Sequence, residues 1–249
     1  MSGHSKWATT KHQKGAKDKA RGKLFAKLIR QVEVAAREGG GDVNANATLR
    51  TMFQKARDAS VPLETIERAV KRGTGELEGV RYEAVSYEGY APSGVAVIVE
   101  CLTDNRNRTG AEIRTIFSRN GGSMAEPGAV SWQFERKGVL TLDRSTSEDE
   151  LMAAVVDAGA EDLRDEGEAW AVYTPPNELA AVRSALEATG LQVRSAEIQM
   201  VPTTTVEVAD EVAARKVLHL LELLDEQDDV NAVWSNFDIP DTILEQVSA

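Results

Sequence analysis

Along the first third of the chain the apolar residues fall at helical spacing. Leu24, Phe25, Leu28, Ile29, Val32, Ala35 and Ala36 share one face, and Gly39-Gly40-Gly41 stops the helix they define. The lysines upstream alternate with small residues and lack an apolar stripe, so that stretch reads as extended or only loosely helical. A second helix follows Asn46, with Leu49, Met52, Phe53 and Ala56 on one side. A third has Pro62 near its first turn, Glu64 and Glu67 early, Lys71 and Arg72 late, and Gly73 as its stop. That polarity matches the helix dipole at both ends. Residues 1 to about 75 therefore read as a small three-helix bundle joined by glycine-rich linkers.

From Tyr82 the period changes to that of strands. Tyr82 to Tyr90 alternates, Pro92-Ser93-Gly94 turns, and Val95 to Leu102 is an apolar β-rich run, which together predict a hairpin. A helix follows TDNRNRT, with Thr109 and Glu112 as a capping box, Ile113, Ile116 and Phe117 inward, and Gly121-Gly122 at its end. Val130 to Phe134 reads as a further strand. Next comes a β-α-β-β-α-β order: strand Val139 to Leu142, helix Ser147 to Ala158, two strands around Glu166-Gly167, a helix opened by Pro175-Pro176 and running through Leu179, Val182 and Leu186 to Gly190, and strand Val193 to Met200. That order is the ferredoxin-like pattern. Thr203 to Val208 reads as a strand, Asp210 to about Leu224 as a helix, and Asp229 to Asn236 as a last strand. The strands on either side of 136–202 make incomplete sheets alone and one sheet joined. The fold class is α+β in three domains: residues 1–78 a basic helical domain, 79–135 plus 203–249 a discontinuous α+β domain, and 136–202 a ferredoxin-like α+β domain inserted in it.

Charge divides along the same line. The chain has 249 residues and a net charge of −11. Residues 1–75 hold 16 basic and 7 acidic residues, a balance of +9, so the rest carries −20. Within the first thirty residues seven lysines and two arginines face a single acid, Asp18. A cationic arm on an acidic body points to a polyanion partner, because Lys and Arg neutralise phosphates and release condensed counterions. The candidate nucleic-acid-binding residues are Lys6, Lys11, Lys14, Lys17, Lys19, Arg21 and Lys23 for phosphates, with His4, Trp7 and His12 placed to contact bases or sugars. The plain alternative is a solvated tail. No helix-turn-helix is evident, and no helix shows base-reading residues at recognition spacing.

Other chemistry is sparse. One cysteine, Cys101, rules out an internal disulfide and a cysteine zinc cluster, and it sits in an apolar strand. The three histidines, His4, His12 and His219, are scattered, so no metal site is expected. Gly22-Lys23 is followed by Leu24 rather than Ser or Thr and no strand precedes it, so no nucleotide cradle forms there. Acidic runs such as Glu148-Asp149-Glu150 and Asp225-Glu226 with Asp228-Asp229 read as solvated faces or helix ends. No cofactor and no catalytic residue is expected. The apolar runs are too short for a membrane span, and no secretory signal is present, so a cytoplasmic location is expected, and a monomer with it as a separate expectation. One stretch stands apart: in Thr103 to Thr109, Asp104, Asn105, Arg106 and Arg108 form a candidate phosphate or anion site at a helix start. In the competing reading Asp104 and Asn105 shape the turn and the arginines pair with neighbouring acids. Three function classes follow: a nucleic-acid-binding regulator, an enzyme acting on a phosphorylated small molecule through Asp104, Arg106 and Arg108, and a scaffold whose acidic sheets dock on basic proteins.

The strings GHSKWATTKHQKGAKDKARGKLFAKLIR, AAREGGGDVNANATLR and SYEGYAPSGVAVIVECLTDNRNRT closely resemble the YebC/PmpR family over almost the whole chain. Ala8-Thr9-Thr10 departs from the commoner Ala-Asn-Ile, and Met124 to Pro127 lies in a loop that varies across the family; neither departure removes a charge. The resemblance implies a helical N-terminal bundle and two α+β units, one inserted in the other. It also implies a probable transcriptional regulator that binds DNA through the basic N-terminal domain. An alternative drawn from the same family is a ribosome-associated translation factor that binds ribosomal RNA and assists difficult peptide bonds. Mitochondrial relatives are translational activators of cytochrome oxidase.

Overall fold

The computed structural model describes residues 17–144, 147–167 and 169–248. Three helices open it: α1 (Lys17–Gly39), α2 (Ala47–Asp58) and α3 (Leu63–Thr74). They bury Leu28, Val32, Ala36, Leu49, Ala56, Ile66 and Ala69 in one core. Helix α1 is described from Lys17 on, and that part of the lysine-rich stretch is helical. The packed face from Phe25 to Ala36 nucleates the helix, and Lys, Arg and Ala extend it at little cost once it is nucleated. The glycine stop after α1 is where the spacing put it, with Gly40 at φ 84°. Asn46 then starts α2: its side chain accepts from the Leu49 N–H at 3.0 Å and donates to the Ala35 and Gly40 carbonyls.

Two details of the bundle correct the sequence reading. Gly73 is not the stop of α3 but lies inside it, where an added Cβ would sit 2.3 Å from the Glu33 carbonyl oxygen of α1. The left-handed cap is Gly75, at φ 83°. The α2–α3 linker, residues 59–62, contains no glycine; Ser60 makes its left-handed turn at φ 64°.

The rest of the chain contains β1 (Glu83–Tyr90), β2 (Ala96–Thr103), α4 (Arg106–Arg119), β3 (Ser123–Ala125), β4 (Phe134–Asp143), α5 (Glu148–Asp157), β5 (Asp162–Asp165) and β6 (Ala169–Thr174). It continues with α6 (Leu179–Ala188), β7 (Val193–Pro202), β8 (Val206–Glu207), α7 (Glu211–Glu226), β9 (Val230–Ser235), β10 (Phe237–Asp238) and α8 (Asp241–Ser248). One sheet has the order β3-β1-β2-β9, so a strand from beyond residue 229 completes a hairpin from before residue 104. The hairpin register runs from Glu83 opposite Thr103 to Tyr90 opposite Ala96. Its Val97, Val99 and Cys101 face Ile113 and Phe117 of α4 and Leu220, Leu221 and Leu224 of α7. Ala96 and Ile98 on the other face meet Val130, Phe134 and Trp234.

The second sheet has the order β5-β6-β4-β7 with every neighbour antiparallel, and α5 and α6 cover one face. This is the ferredoxin-like topology, inserted between the strands of the first sheet. The fold class is therefore α+β, with a helical bundle, an α+β domain and a ferredoxin-like domain within it.

Val130 to Phe134 is not a strand. Residues 131–133 form a short 3-10 turn, and one long strand, β4, starts at Phe134 and absorbs Val139 to Leu142. Backbone N–H groups that a strand would spend on a ladder go instead to a carboxylate: Glu88 accepts from Gly128 at 2.8 Å, Val130 at 2.7 Å and Ser131 at 3.0 Å. Burial alone would raise the Glu88 carboxyl, but these donors outweigh it and hold it below its ordinary value. The Thr203 to Val208 strand shrinks to Val206–Glu207, which pairs parallel with Phe237–Asp238 apart from both large sheets. Strand β3 and helix α8 have too little pattern of their own to be foreseen.

Candidate nucleic-acid interface

Of the candidate nucleic-acid-binding residues, His4, Lys6, Trp7, Lys11, His12 and Lys14 lie outside the described residues. Lys17 and Lys19 stand in the first turn of α1. Arg21 lies over the Phe25 ring one turn on, 5.2 Å from its centroid. Lys23 is different, because its ammonium is engaged by another domain.

From Lys23 onward the cationic side of α1 lies against the C-terminal end of α7. Lys23 Nζ donates to the Glu226 carbonyl at 2.9 Å and lies 3.7 Å from the Asp228 carboxylate. Lys27 Nζ donates to the Asp225 carbonyl at 2.8 Å, with the Asp225 carboxylate at 3.6 Å. Arg30 donates to the Asp228 carbonyl at 2.5 Å, approaches Asp229 at 3.7 Å and stacks over Tyr82. Gln31 donates to Asn231. The last turn of a helix exposes unpaired carbonyls and the negative end of its dipole, so Lys23 and Lys27 there are favoured twice over, while Arg30 meets the turn just beyond it. The same acids read as solvated on the sequence, since nothing local announces that a helix some 200 residues away meets them.

The Thr103 to Thr109 stretch is built around one buried acid, Asp229. Arg108 donates to Asp229 Oδ2 and to Asp104, each at 2.8 Å. The Thr109 hydroxyl donates to the same Asp229 oxygen at 2.8 Å. Thr103 Oγ1 lies 2.8 Å from that hydroxyl and accepts from the Asn105 N–H. Burial would raise the Asp229 carboxyl, but Arg108, Thr109 and the nearby Arg30 hold it below the usual aspartate value. The Arg108 guanidinium is held more firmly in its charged form by Asp229 and Asp104.

The capping box expected at Thr109 and Glu112 is absent. Helix α4 starts one turn earlier, and the Asn105 side chain caps it by accepting from the Arg108 N–H at 3.1 Å. Thr109 faces inward because its hydroxyl has Asp229 to serve, a partner invisible from spacing. Arg106 lies 3.9 Å from Glu83. These contacts are those of the competing reading, in which Asp104 and Asn105 shape the turn and the arginines pair with acids.

An open cleft of about 550 Å³ runs between α1 and this network. Five carboxylates line it (Asp104, Glu112, Glu226, Asp228, Asp229) against the three cations Lys23, Arg30 and Arg108. Such a balance disfavours a phosphate ester. Cys101 lies in the core of the neighbouring sheet, and burial, helped by the Asp229 charge, pushes its thiol up to about 12, so it is no nucleophile at neutral pH. Among the described residues, no group of three His, Cys, Asp or Glu is placed to hold a metal ion, and no helix is long and apolar enough to cross a membrane.

A basic helical bundle docked by polar contacts on two α+β sheets defines the class of molecule, and comparison with known proteins gives it a family. Residues 5–76 match the TACO1/YebC protein N-terminal domain, and residues 82–237 match the TACO1/YebC second and third domain. The chain belongs to the TACO1/YebC family. Among its relatives, proteins named "Probable transcriptional regulatory protein" are 55% identical in Acidothermus cellulolyticus, over 99% of this chain and 100% of that one. Another in Halothermothrix orenii is 53% identical over 100% and 99% of the two chains. The crystal structure of a conserved hypothetical protein from Aquifex aeolicus superposes with a TM-score of 0.83 at 48% identity, covering 90% of this chain and 93% of that one.

Proposed function

We propose that this chain is a non-enzymatic regulator of gene expression that binds nucleic acid through its basic N-terminal domain. The observation that supports it is the division of charge, +9 over residues 1–75 against −20 over the rest. In this reading Lys6, Lys11, Lys14, Lys17, Lys19, Arg21 and Lys23 meet phosphates, while His4, Trp7 and His12 contact bases or sugars. DNA is the target that the relatives' name suggests. Removing four arm lysines (K6A/K11A/K14A/K17A) is expected to lower the slope of log affinity against log salt by about 3 to 4. An unchanged slope refutes the assignment.

A second target is structured RNA of the ribosome, because the face of α3 is unsuited to enter a DNA major groove. The short α2–α3 connection resembles the spacing of a helix-turn-helix, in which the second helix enters the major groove by its N-terminal residues. Here that first turn carries exposed Glu64 and then Glu67, and Arg68 is tied to Glu64 at 2.6 Å. Two acids at the leading end repel a duplex backbone. Phosphate binding by an arm fits RNA grooves at least as well. Crosslinking and sequencing of bound nucleic acid, with a sucrose gradient of the same lysate, separates the two. Promoter DNA peaks without ribosomal co-sedimentation support the DNA target, and ribosomal RNA enrichment with co-sedimentation supports the other.

A further inference from the structure

The contact between α1 and the end of α7 has a property that the other packing in the molecule lacks. Among the described residues, no buried apolar cluster joins the helical bundle to either sheet: one cluster stays within residues 25–70, and the others stay beyond residue 86. Named contacts across this boundary are polar. They include the α1–α7 contact, Arg37 with the Val80 and Tyr82 carbonyls at 3.3 Å, Lys55 with Glu197 at 3.0 Å and Arg183 with Asp58 at 2.9 Å. An interface held mainly by polar contacts, with no apolar cluster across it, has less to hold it when a competing charge arrives, and salt weakens those contacts.

The acids of this contact cluster against one side of α1. Three carbonyls and the carboxylates of Asp225, Asp228 and Asp229 follow α1 over the two turns from Lys23 to Arg30. Lys27 and Arg30 are thereby largely covered, with side chains 16% and 23% exposed. In the closed arrangement these cations face α7 rather than a nucleic acid.

We propose that the acidic turn at residues 225–229 is an internal competitor for nucleic acid. It latches Lys23, Lys27 and Arg30 of α1, and a phosphate backbone that extends beyond the arm displaces it, freeing the helical domain from the sheets. The proposal rests on the nucleic-acid reading above and adds to it a second, inducible contact surface and a domain opening. Closed protein binds through the arm alone. Open protein adds the cations of α1, at the cost of the latch. Two sites that exclude each other on one set of cations are coupled in both directions, so loosening the latch must tighten nucleic-acid binding.

The test compares the full chain with D225N/D228N and with a control, E148Q/D149N, that neutralises two exposed acids of the inserted domain. Asp229 is left intact because of its buried network. Binding of a labelled DNA duplex and a labelled RNA hairpin is measured across a salt series, with thermal melting to check folding. The latch variant is expected to bind about three- to tenfold tighter than wild type, with a salt slope steeper by about 1 to 2. The control should bind within about twofold of wild type. A second form keeps the test open should the first fold poorly: K23C/D228C joined by a short bis-maleimide, against the same variant with both thiols capped singly. The joined form should bind more weakly than the capped form. Equal binding by latch variant and control, or by joined and capped forms, overturns the latch and leaves the arm reading standing. Failure of every form to bind either probe overturns the nucleic-acid reading itself, and the latch with it.

Discussion

Two sets of cations in this chain read alike on the sequence and are held very differently. Arg108 sits against Asp229, an acid only 8% exposed, within a closed set of hydrogen bonds that also uses Thr103 and Thr109. Lys23, Lys27 and Arg30 sit against the end of a helix, with ion pairs of 3.6 to 3.7 Å and, for Lys23, an acid that is 78% exposed. The first set is part of what makes β2, α4 and β9 one unit, and its charge is spent on folding. The second joins domains; Lys23, whose acid is exposed, stays exchangeable, while Arg30 shares the buried Asp229 with the first set. A basic residue is therefore not a binding residue until the burial of its counter-charge is known.

The sharpest way to break this comparison is D229A. It strands the Thr103 and Thr109 hydroxyls and the Arg108 charge, and should cost about 2 to 3 kcal/mol in urea unfolding. A cost below about 1 kcal/mol would place Asp229 with the exchangeable acids instead. E88A removes the cation from the comparison, because the groups that hold Glu88 are the backbone N–H donors of Gly128, Val130 and Ser131 rather than an arginine or lysine. It should cost about 2 kcal/mol, and near-equality with D229A would show that unmet hydrogen bonds rather than ion pairing set the price.

Acid sharpens the same point. Both carboxyls are depressed in the folded state from ordinary values of 4.5 for Glu88 and 3.8 for Asp229. The stability they confer is thus complete above those values and is lost as pH falls through the lower, folded-state values. Urea midpoints measured from neutral pH downward should fall below about pH 4.5, and E88Q should flatten part of that limb. At the exchangeable contact, K23A should change stability by no more than about 0.5 kcal/mol in the same assay. The smallest effect is expected from W132A: the ring is 71% exposed, so its loss should fall within about 0.5 kcal/mol by thermal melting.

Much of the fold was legible. Periodicity located the helices of the bundle, the hairpin and the β-α-β-β-α-β order, because amphipathic spacing records which face each element buries. The errors fell where a distant group replaced a local one. Val130 to Phe134 reads as a strand until Glu88, some 40 residues earlier, claims its N–H groups. Thr109 reads as a cap until Asp229 claims its hydroxyl. Gly73 reads as a stop until α1 is seen to pass too close for a Cβ.

By itself, the sequence determined the class of fold, the basic arm on an acidic body and the family strings, since composition, spacing and charge are properties of the chain alone. Only the tertiary structure decided which cations are spent. Ion pairs and side-chain hydrogen bonds depend on distances of a few ångströms between residues up to 203 positions apart, and no local pattern encodes them.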